Sequence, residues 1–410
     1  MLSVRLWRVV CVSFFCLNLF FVFLSSRNEV FGGALFLLPW ALVLMLSDAR
    51  RCLIEVLCEF GGLVAVSALF SLFVFAGCGL HECLRREVEG VVIPLLWVPV
   101  AALVRWMRRC VGEAALISSL FFILSSVVLV SSGWLIWQGV YEGQDRPSGF
   151  SRNVLISPSM FAMVCLLGVL KDGARGDGGT QIWVRRLFPW VAVVAVLGAM
   201  ATHAKVGLLV FLVGVIARLI LLPHSRRMTL WVSGPVVAAW LWVLLPRLHV
   251  VTVDVGLYQD GGRRTSFGER LDAIRWAFEH IWDHPFFGRG SVQVARDFNN
   301  RWIEWGVEKA DVTPMLHLHN DYLQMTLAYG FPAAIFFVAF WCGLVAWGKS
   351  LGGGSIRGAG LVRERAWLIV MFCIFMSSFM VDSFTYWSST WGMTMAAVGV
   401  GLGLWEGGNT

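Results

Sequence analysis

The sequence contains few charged residues. Only 14% of its 410 residues are Asp, Glu, Lys or Arg, whereas 58% are hydrophobic, and soluble domains carry nearly twice that charged fraction. This composition excludes an ordinary soluble domain and predicts an all-α polytopic membrane protein. Repeated apolar runs of about 17–25 residues agree with bilayer-spanning helices, and the 21 tryptophans agree with belts at the membrane interfaces.

A signature of metal-dependent sugar transfer is also missing. The chain has no Asp-x-Asp pair of the kind used in that chemistry. His280 and His284 have the spacing of a helical metal pair, with Asp283 between them. No third ligand is obvious and Pro285 would end the helix, so a surface pair is the better interpretation. We therefore expect no metal and no cofactor.

The long loop between residues 246 and 320 has no cysteine, so no disulfide is expected to hold its shape. Most of the ten cysteines lie inside apolar runs, where they are interpreted as packing residues. Cys78 and Cys83 flank another loop and would be able to pair if it faces an oxidising compartment, but their spacing is a weak signal.

The apolar runs predict about twelve transmembrane helices. The first is interpreted as a retained span rather than a signal peptide, because no small-x-small cleavage site follows it. The predicted spans are Leu6–Leu24, Val30–Ser47, Leu53–Gly77, Val91–Val104, Ala114–Gln138, Val154–Leu170, Leu187–Ala201, Val206–Leu222, Thr229–Leu245, Tyr322–Trp347, Ala366–Val381 and Trp391–Trp405.

Basic residues are concentrated in alternate loops, from Arg5 and Arg8 to the segment between Lys349 and Arg365. By the positive-inside rule, both termini are cytoplasmic, and the long loop lies on the outer face. The net charge of +7 then reflects topology rather than nucleic-acid binding. We treat residues 1–410 as a single membrane domain, with residues 246–320 as its outer loop between spans 9 and 10.

The outer loop is predicted to contain two amphipathic helices. The first starts at the capping-box pattern Ser266-Phe-Gly-Glu269 and ends before Pro285. The second follows Gly288-Arg-Gly290. Both are expected to lie with their apolar sides on the membrane. Arg270 sits four residues before Ile274 and is predicted to share its buried side, whereas Arg275 is predicted to be solvated.

The polar stretch His317-Leu-His319-Asn320 lies directly before an apolar segment. If a helix begins near Asn320, its dipole favours a neutral His319 that is able to accept a proton from a hydroxyl. The alternative is that His317 and His319 cap the span by bonding backbone carbonyls. Both interpretations remain open for His319, and capping is favoured for His317.

Three cations are candidates for binding an anionic group at the outer surface. Lys205 is isolated between two apolar runs, where it either snorkels to the interface or binds a phosphate as a point charge. Arg270 and Arg289, from the outer loop, would complete a pocket for a dianionic group. Such cations also stabilise a departing phosphate.

Four features together resemble the O-antigen ligase and O-antigen polymerase superfamily. They are the topology, the turn Thr202-His-Ala-Lys-Val-Gly207, the loop motifs Arg270-Leu-Asp-Ala-Ile-Arg-Trp276 and His284-Pro-Phe-Phe-Gly-Arg-Gly290, and His317-Leu-His-Asn-Asp-Tyr-Leu323 with Gly330 after it. The last motif is the most specific. Lys205 stands where many members have Arg, which keeps the charge but loses bidentate hydrogen bonding.

The resemblance implies a GT-C-like membrane glycosyltransferase in the inner membrane of a Gram-negative bacterium. Such an enzyme transfers glycan from undecaprenyl pyrophosphate to lipid A core by a metal-independent inverting displacement. His319 would be the base and Arg270 a catalytic pyrophosphate contact, with Lys205, Arg289, His317 and Asn320 binding substrate. The partners would be the lipid-linked donor, the lipid A core acceptor and membrane lipids.

Other functions remain open at this stage. A single dominant outer loop favours a ligase over a polymerase, and a protein O-oligosaccharyltransferase is a third possibility in the same superfamily. A transporter or flippase would need broken helices in both halves of the chain. Gly330-Phe-Pro332 is a candidate break, but the sequence shows no matching break earlier in the chain. A non-catalytic membrane scaffold would leave the His-x-His-Asn cluster unexplained.

Overall fold

The computed structural model describes residues 29–77, 91–142, 156–173, 179–202, 205–221, 226–260, 266–305, 318–350, 359–381 and 388–404. All regular structure within these ranges is helical. The first half contains α1 (Glu29–Met45), α2 (Ser47–Glu59), α3 (Gly61–Gly77), a 3-10 turn (Ile93–Leu95), α4 (Trp97–Val111), α5 (Glu113–Val140), α6 (Ile156–Gly173) and α7 (Gly179–Ala201). The second half contains α8 (Lys205–Leu221), α9 (Arg226–Gln259), α10 (Ser266–His280), α11 (Ser291–Glu304), α12 (Asp321–Ser350), α13 (Ala359–Val381) and α14 (Ser388–Leu404).

The apolar helices indicate a membrane protein. Within the described residues, three helices are long and apolar enough to cross a bilayer: α5, residues 182–201 of α7 and residues 321–348 of α12. A fourth span is obtained if α2 and α3 are counted as one bent unit. Shorter apolar helices lie within α8, α13 and α14. The first predicted span, Leu6–Leu24, lies outside the described residues, as do Cys78 and Cys83.

The third predicted span, Leu53–Gly77, is not one straight helix. α2 and α3 meet at Phe60 with a bend of 90°. α2 carries several charged residues, whereas α3 has none. At the bend, Glu59 forms an ion pair of 2.6 Å with the buried Arg105, whose guanidinium also lies 5.5 Å from the centre of the Phe60 ring.

The helix of the fourth predicted span ends later in the chain than the sequence predicted. That span was expected to stop at Val104, but α4 continues to Val111 with Arg105 inside it. A buried charge is strongly destabilising only when it has no partner. The carboxylate of Glu59 supplies that partner, so the helix does not have to end at the arginine.

Both helices predicted for the outer loop are present, as α10 and α11. The boundary predicted at Pro246 is not a break, because α9 continues without interruption from Arg226 to Gln259. At 1.5 Å per residue, a helix of 34 residues is about 50 Å long, which exceeds the roughly 30 Å hydrocarbon core of a bilayer. The predicted outer loop therefore starts inside a helix.

The position of the candidate site depends on α12. This helix packs against α3 and α13, and the loop helices α10 and α11 both contact it. Near its start, the hydroxyl of Tyr322 donates a hydrogen bond of 3.0 Å to the backbone oxygen of Met376 in α13. Further along, Phe337 and Trp341 pack against Phe379, with ring centres 5.0 and 5.2 Å apart. These contacts fix the beginning of α12 against the helical body.

Candidate functional site

His319 has an unusual backbone conformation. Its φ is 54°, and among the residues that the structure describes it is the only non-glycine residue with positive φ. Histidine tolerates this region better than most residues, but such conformations persist only where the surroundings enforce them, and they concentrate at functional sites. The backbone thus singles out the same histidine that the sequence motif did.

Two polar side chains enforce this conformation from either side. The side-chain oxygen of Asn320 accepts a hydrogen bond of 3.0 Å from the N–H of Leu323, which makes Asn320 the N-cap of α12. The side-chain oxygen of Gln324 reaches back and accepts a bond of 3.1 Å from the N–H of Leu318. His319 is held between these two bonds. His319 therefore lies two residues before the first residue of α12, near the positive end of the helix dipole.

Glu269 is a site residue that the sequence analysis missed. It is half-buried in the first turn of α10, and burial raises the pKa of its carboxyl group above the ordinary value, an effect that His319 and Arg270 partly offset. His319 and Arg270 therefore both lie within electrostatic reach of Glu269. We call these three residues the catalytic cluster, after the role proposed for them below.

From the sequence, Glu269 was assigned only to the cap of this helix. Its place in a capping box was the visible signal, and that pattern explains the residue without any role in chemistry. The packing of α10 against α12 and the electrostatic interaction between Glu269 and His319 place the first turn of the loop helix near the histidine.

The predicted inward face of α10 is wrong. Arg270 is exposed, and Ile274 is 37% exposed. The buried side is instead formed by Asp272, Ala273, Trp276 and Ala277. The carboxylate of Asp272 is buried because it accepts a hydrogen bond of 2.8 Å from the Tyr258 hydroxyl of α9. Arg270 thus lies at the rim of the catalytic cluster rather than beneath the helix.

The positive charge of Arg289 is compensated by two neighbouring carboxylates. Its guanidinium forms ion pairs with Asp283 and with Asp297, the latter at 3.0 Å. Two carboxylates around one arginine leave no net positive charge for a pyrophosphate. The prediction that Arg289 belongs to an anion pocket with Arg270 therefore needs revision.

The remaining predicted residues are only partly described. Lys205 is the first residue of α8, but its side chain is outside the described part of the structure. His317 lies entirely outside the described residues. Around His280, the structure shows the ring Nδ1 atom 2.9 Å from the backbone oxygen of Trp276. Among the described residues, no group of three His, Cys, Asp or Glu side chains is placed to hold a metal ion.

The turn between α10 and α11 contacts α3 and α12 at a point where three glycines meet. Gly330 interrupts α12 with φ 86° and ψ 170°, which confirms the break that the sequence suggested. A Cβ atom on Gly330 would lie 2.3 Å from the backbone oxygen of Phe286. A Cβ on Gly288 would lie 2.2 Å from the carbonyl carbon of Ala328, and one on Gly77 would lie 2.4 Å from the oxygen of Phe287. We call this contact of Gly77, Gly288 and Gly330 the glycine junction.

Backbone hydrogen bonds join the loop turn to α12 at the glycine junction. Three N–H groups donate across the contact: Arg289 to Leu327 at 2.9 Å, Gly290 to Ala328 at 2.8 Å and Phe331 to Pro285 at 2.8 Å. Without side chains on the three glycines, the backbones approach closely enough to make these bonds. The turn, the loop helices and the start of α12 are therefore held in a fixed arrangement.

Comparison with known families finds a match over the part of the chain that contains this site. Residues 190–338 match the family model described as O-antigen ligase. The matched region contains Arg270, Arg289 and the segment from His317 to Gly330. A search of curated proteins finds no match. The family match confirms the resemblance seen in the sequence and supports an O-antigen ligase family protein, whose general substrates are a lipid-linked glycan and an acceptor.

Proposed function

We propose that this O-antigen ligase family protein transfers a glycan from undecaprenyl pyrophosphate to lipid A core, with His319 as the general base. The observation that carries the proposal is the strained backbone of His319, held between Asn320 and Gln324. A base that must meet a substrate hydroxyl at a fixed angle accounts for a histidine held in this conformation at a helix start.

The proposed reaction is a single displacement. A hydroxyl oxygen of the acceptor attacks the anomeric carbon of the donor, and the new C–O bond forms as the bond to the pyrophosphate oxygen breaks. The hydroxyl proton passes to the imidazole of His319. The leaving undecaprenyl pyrophosphate retains the electron pair of the broken bond, so the anomeric configuration inverts.

Glu269 is assigned a positioning role in this reaction. Its carboxylate interacts electrostatically with His319, and it favours the imidazolium that forms when the ring takes the proton. Arg270, at the rim of the catalytic cluster, and Lys205, at the start of α8, are proposed to bind the pyrophosphate oxygens as charge develops on them. Arg289 is not assigned to the pyrophosphate, because Asp283 and Asp297 already compensate its charge.

The proposed location is the outer face of the bacterial inner membrane. Support comes from the positive-inside distribution of Lys and Arg residues and from the long apolar helices α5, α7 and α12. On this arrangement the chain spans the membrane about twelve times, both termini are cytoplasmic, and α10 and α11 lie in the periplasm. The exposed aromatic residues Phe278, Trp282 and Phe286 would then face the lipid headgroups.

Replacement of His319 tests the proposed base. The His319→Ala variant should insert normally and lose transfer by about 10²–10⁴-fold, the usual contribution of a general base. Exposed His249 in α9 provides a matched control, and His249→Ala should transfer at the wild-type rate. Both variants would be assayed after reconstitution with a lipid-pyrophosphate glycan. Wild-type transfer by His319→Ala would refute the assignment.

The choice of acceptor separates the members of the superfamily. Wild-type protein would be given lipid A core, a second lipid-linked glycan or an acceptor protein. Glycosylated lipid A core is the product expected of a ligase. Glycan extension would identify a polymerase instead, and glycoprotein would identify a protein O-oligosaccharyltransferase.

A transporter or flippase is the second candidate, because the structure supplies the earlier break that the sequence did not show. The 90° bend at Phe60 precedes α3, and α3 packs against the interrupted helix α12. Paired broken helices are a feature of many transporters. The same vesicles distinguish the two functions, since a flippase would move the lipid-linked glycan across the bilayer without forming a new glycosidic bond.

A further inference from the structure

A cavity of about 410 Å³ opens between the loop helices α10 and α11. It lies apart from the catalytic cluster, and no step proposed above uses it. Six of its lining side chains are relevant here: Trp276, His280, Arg289, Asn300, Arg301 and Glu304. The cavity combines an aromatic base with several planar polar groups.

The charges around the cavity argue against a phosphate ligand. Asp283 and Asp297 compensate Arg289, and Glu304 accepts a hydrogen bond of 2.7 Å from Arg301. A phosphate or pyrophosphate would have to displace these carboxylates, which lie on α11 and in the turn before it. A ligand without strong negative charge therefore fits the cavity better.

The hydrogen-bonding groups around the cavity are suited to hydroxyls. Within the described part of the chain, the Nε atom of Arg289 is a buried donor that no protein group satisfies. The backbone oxygen of Trp276, 2.9 Å from His280 Nδ1, is only an acceptor, so Nδ1 is assigned the proton and Nε2 is an acceptor in the neutral ring. The exposed amide of Asn300 supplies both a hydrogen-bond donor and a hydrogen-bond acceptor. A sugar hydroxyl is itself both a donor and an acceptor.

The base of the cavity is aromatic. The rings of Trp276 and His280 are stacked with centres 4.8 Å apart, and Phe298 supports Trp276 from the side with ring centres 5.5 Å apart. A rigid apolar base with a few convergent polar groups is the usual composition of a small-molecule site. Because Trp276 is itself buried, the apolar C–H face of a sugar ring would meet the half-buried His280 ring that stacks on it, and the sugar hydroxyls would meet the polar rim.

We propose that this cavity binds uncharged sugar residues of a glycan substrate, at a distance from the bond that reacts. The assignment rests on the proposed function, because it takes the ligand to be part of the transferred or accepting glycan. The backbone of Arg289 bonds to Leu327 of α12, eight residues beyond His319 in the sequence, or roughly 12 Å along a helix. The separation from His319 suits a sugar that is not the one undergoing transfer.

Saturation-transfer NMR on the full chain in nanodiscs tests the proposal without requiring catalysis. The probes are the host O-antigen oligosaccharide, released from its lipid carrier, and the host core oligosaccharide, released from lipid A. Binding of one probe but not the other identifies whether the donor or the acceptor glycan occupies the cavity. Inorganic pyrophosphate should not displace the bound oligosaccharide.

Variants assign the signal to the cavity. Asn300→Ala removes an exposed amide, and His280→Phe keeps the aromatic stack but removes the ring nitrogens. Each should weaken binding roughly tenfold, equivalent to about 1.4 kcal/mol. Arg296→Ala, an exposed change on the same helix that does not line the cavity, should bind as the wild type does.

Several results would overturn the assignment: no binding of either oligosaccharide, wild-type binding by both cavity variants, or displacement by pyrophosphate. Failure of the proposed function gives a different pattern. In that case the wild-type protein forms no product with any acceptor, while oligosaccharide binding and its loss in Asn300→Ala persist.

Discussion

Replacing Gly330 with alanine should detach the outer loop from α12. The added Cβ would lie 2.3 and 2.4 Å from two backbone atoms of Phe286, so one backbone must move by about 1 Å to restore an ordinary contact of roughly 3.4 Å. The φ of 86° and ψ of 170° fall in a region that alanine enters at a cost of about 1–3 kcal/mol. Separation of the loop turn from α12 would also break three backbone hydrogen bonds, at a cost of roughly 1 kcal/mol each.

The total for Gly330→Ala is therefore roughly 4–6 kcal/mol, a large share of the 5–15 kcal/mol that holds a typical protein folded. We expect the apparent melting temperature in nanodiscs to fall by roughly 5–10 °C. Hydrogen exchange should locate the damage, with the amides of Arg289, Gly290 and Phe331 exchanging faster than in the wild type. Transfer should fall as well, because α10 carries Glu269.

The matched control is Gly133→Ala. Gly133 lies inside α5, and a Cβ there would meet nothing within 4 Å. This change should leave stability equal or higher by up to about 1 kcal/mol, since alanine favours a helix more than glycine does. The reasoning about the glycine junction is refuted if the two variants melt together and the three junction amides stay protected in Gly330→Ala.

Three further predictions concern the catalytic cluster. Burial raises the pKa of Glu269, so ionising this carboxylate costs more in the folded protein than in the unfolded chain. The folded protein is therefore destabilised as pH rises through the raised pKa, and this destabilisation is absent below the ordinary pKa of about 4.3. Glu269→Gln should therefore melt higher than the wild type at neutral pH, with the difference vanishing near pH 4, while transfer falls; equal melting at both pH values would contradict this account. Arg270→Ala should impair use of the lipid donor more than Arg275→Ala, whose guanidinium is 70% exposed and paired with Glu279; equal KM values for the donor would remove Arg270 from the site. Transfer should persist in EDTA, since side chains are assigned the charge stabilisation, and a loss restored by a divalent cation would refute that assignment.

The sequence predicted local features of the fold better than their arrangement. Capping and periodicity located α10 and α11, and the Gly-Phe-Pro sequence located the break at Gly330. These features depend on neighbouring residues and are visible in any short window. The bend at Phe60 and the continuation of α4 through Arg105 depend on the pairing of Glu59 with Arg105, residues that are far apart in sequence. Hydropathy alone does not reveal such a pair.

In the candidate site, too, the sequence identified local features better than their arrangement. The motif around His319 identified the residue, and the structure added its strained backbone and the contribution of Gln324. The face of α10 was predicted incorrectly, because apolar periodicity does not distinguish a surface that meets protein from one that meets lipid. Exposed Phe278 and buried Trp276 show that α10 has both surfaces. For this reason Glu269 was overlooked and the direction of Arg270 was wrong.

The glycine junction also has a consequence for the order of folding. Gly77 is synthesised early, whereas Gly288 and Gly330 follow only after most of the membrane body has been made. Domains fold progressively from the N-terminus during synthesis, and contacts between distant residues form late. A nascent chain that has not yet reached Gly330 has no site against which the loop turn can close. The cluster of Glu269, Arg270 and His319 would therefore be among the last parts of the protein to form, which keeps an incomplete chain inactive.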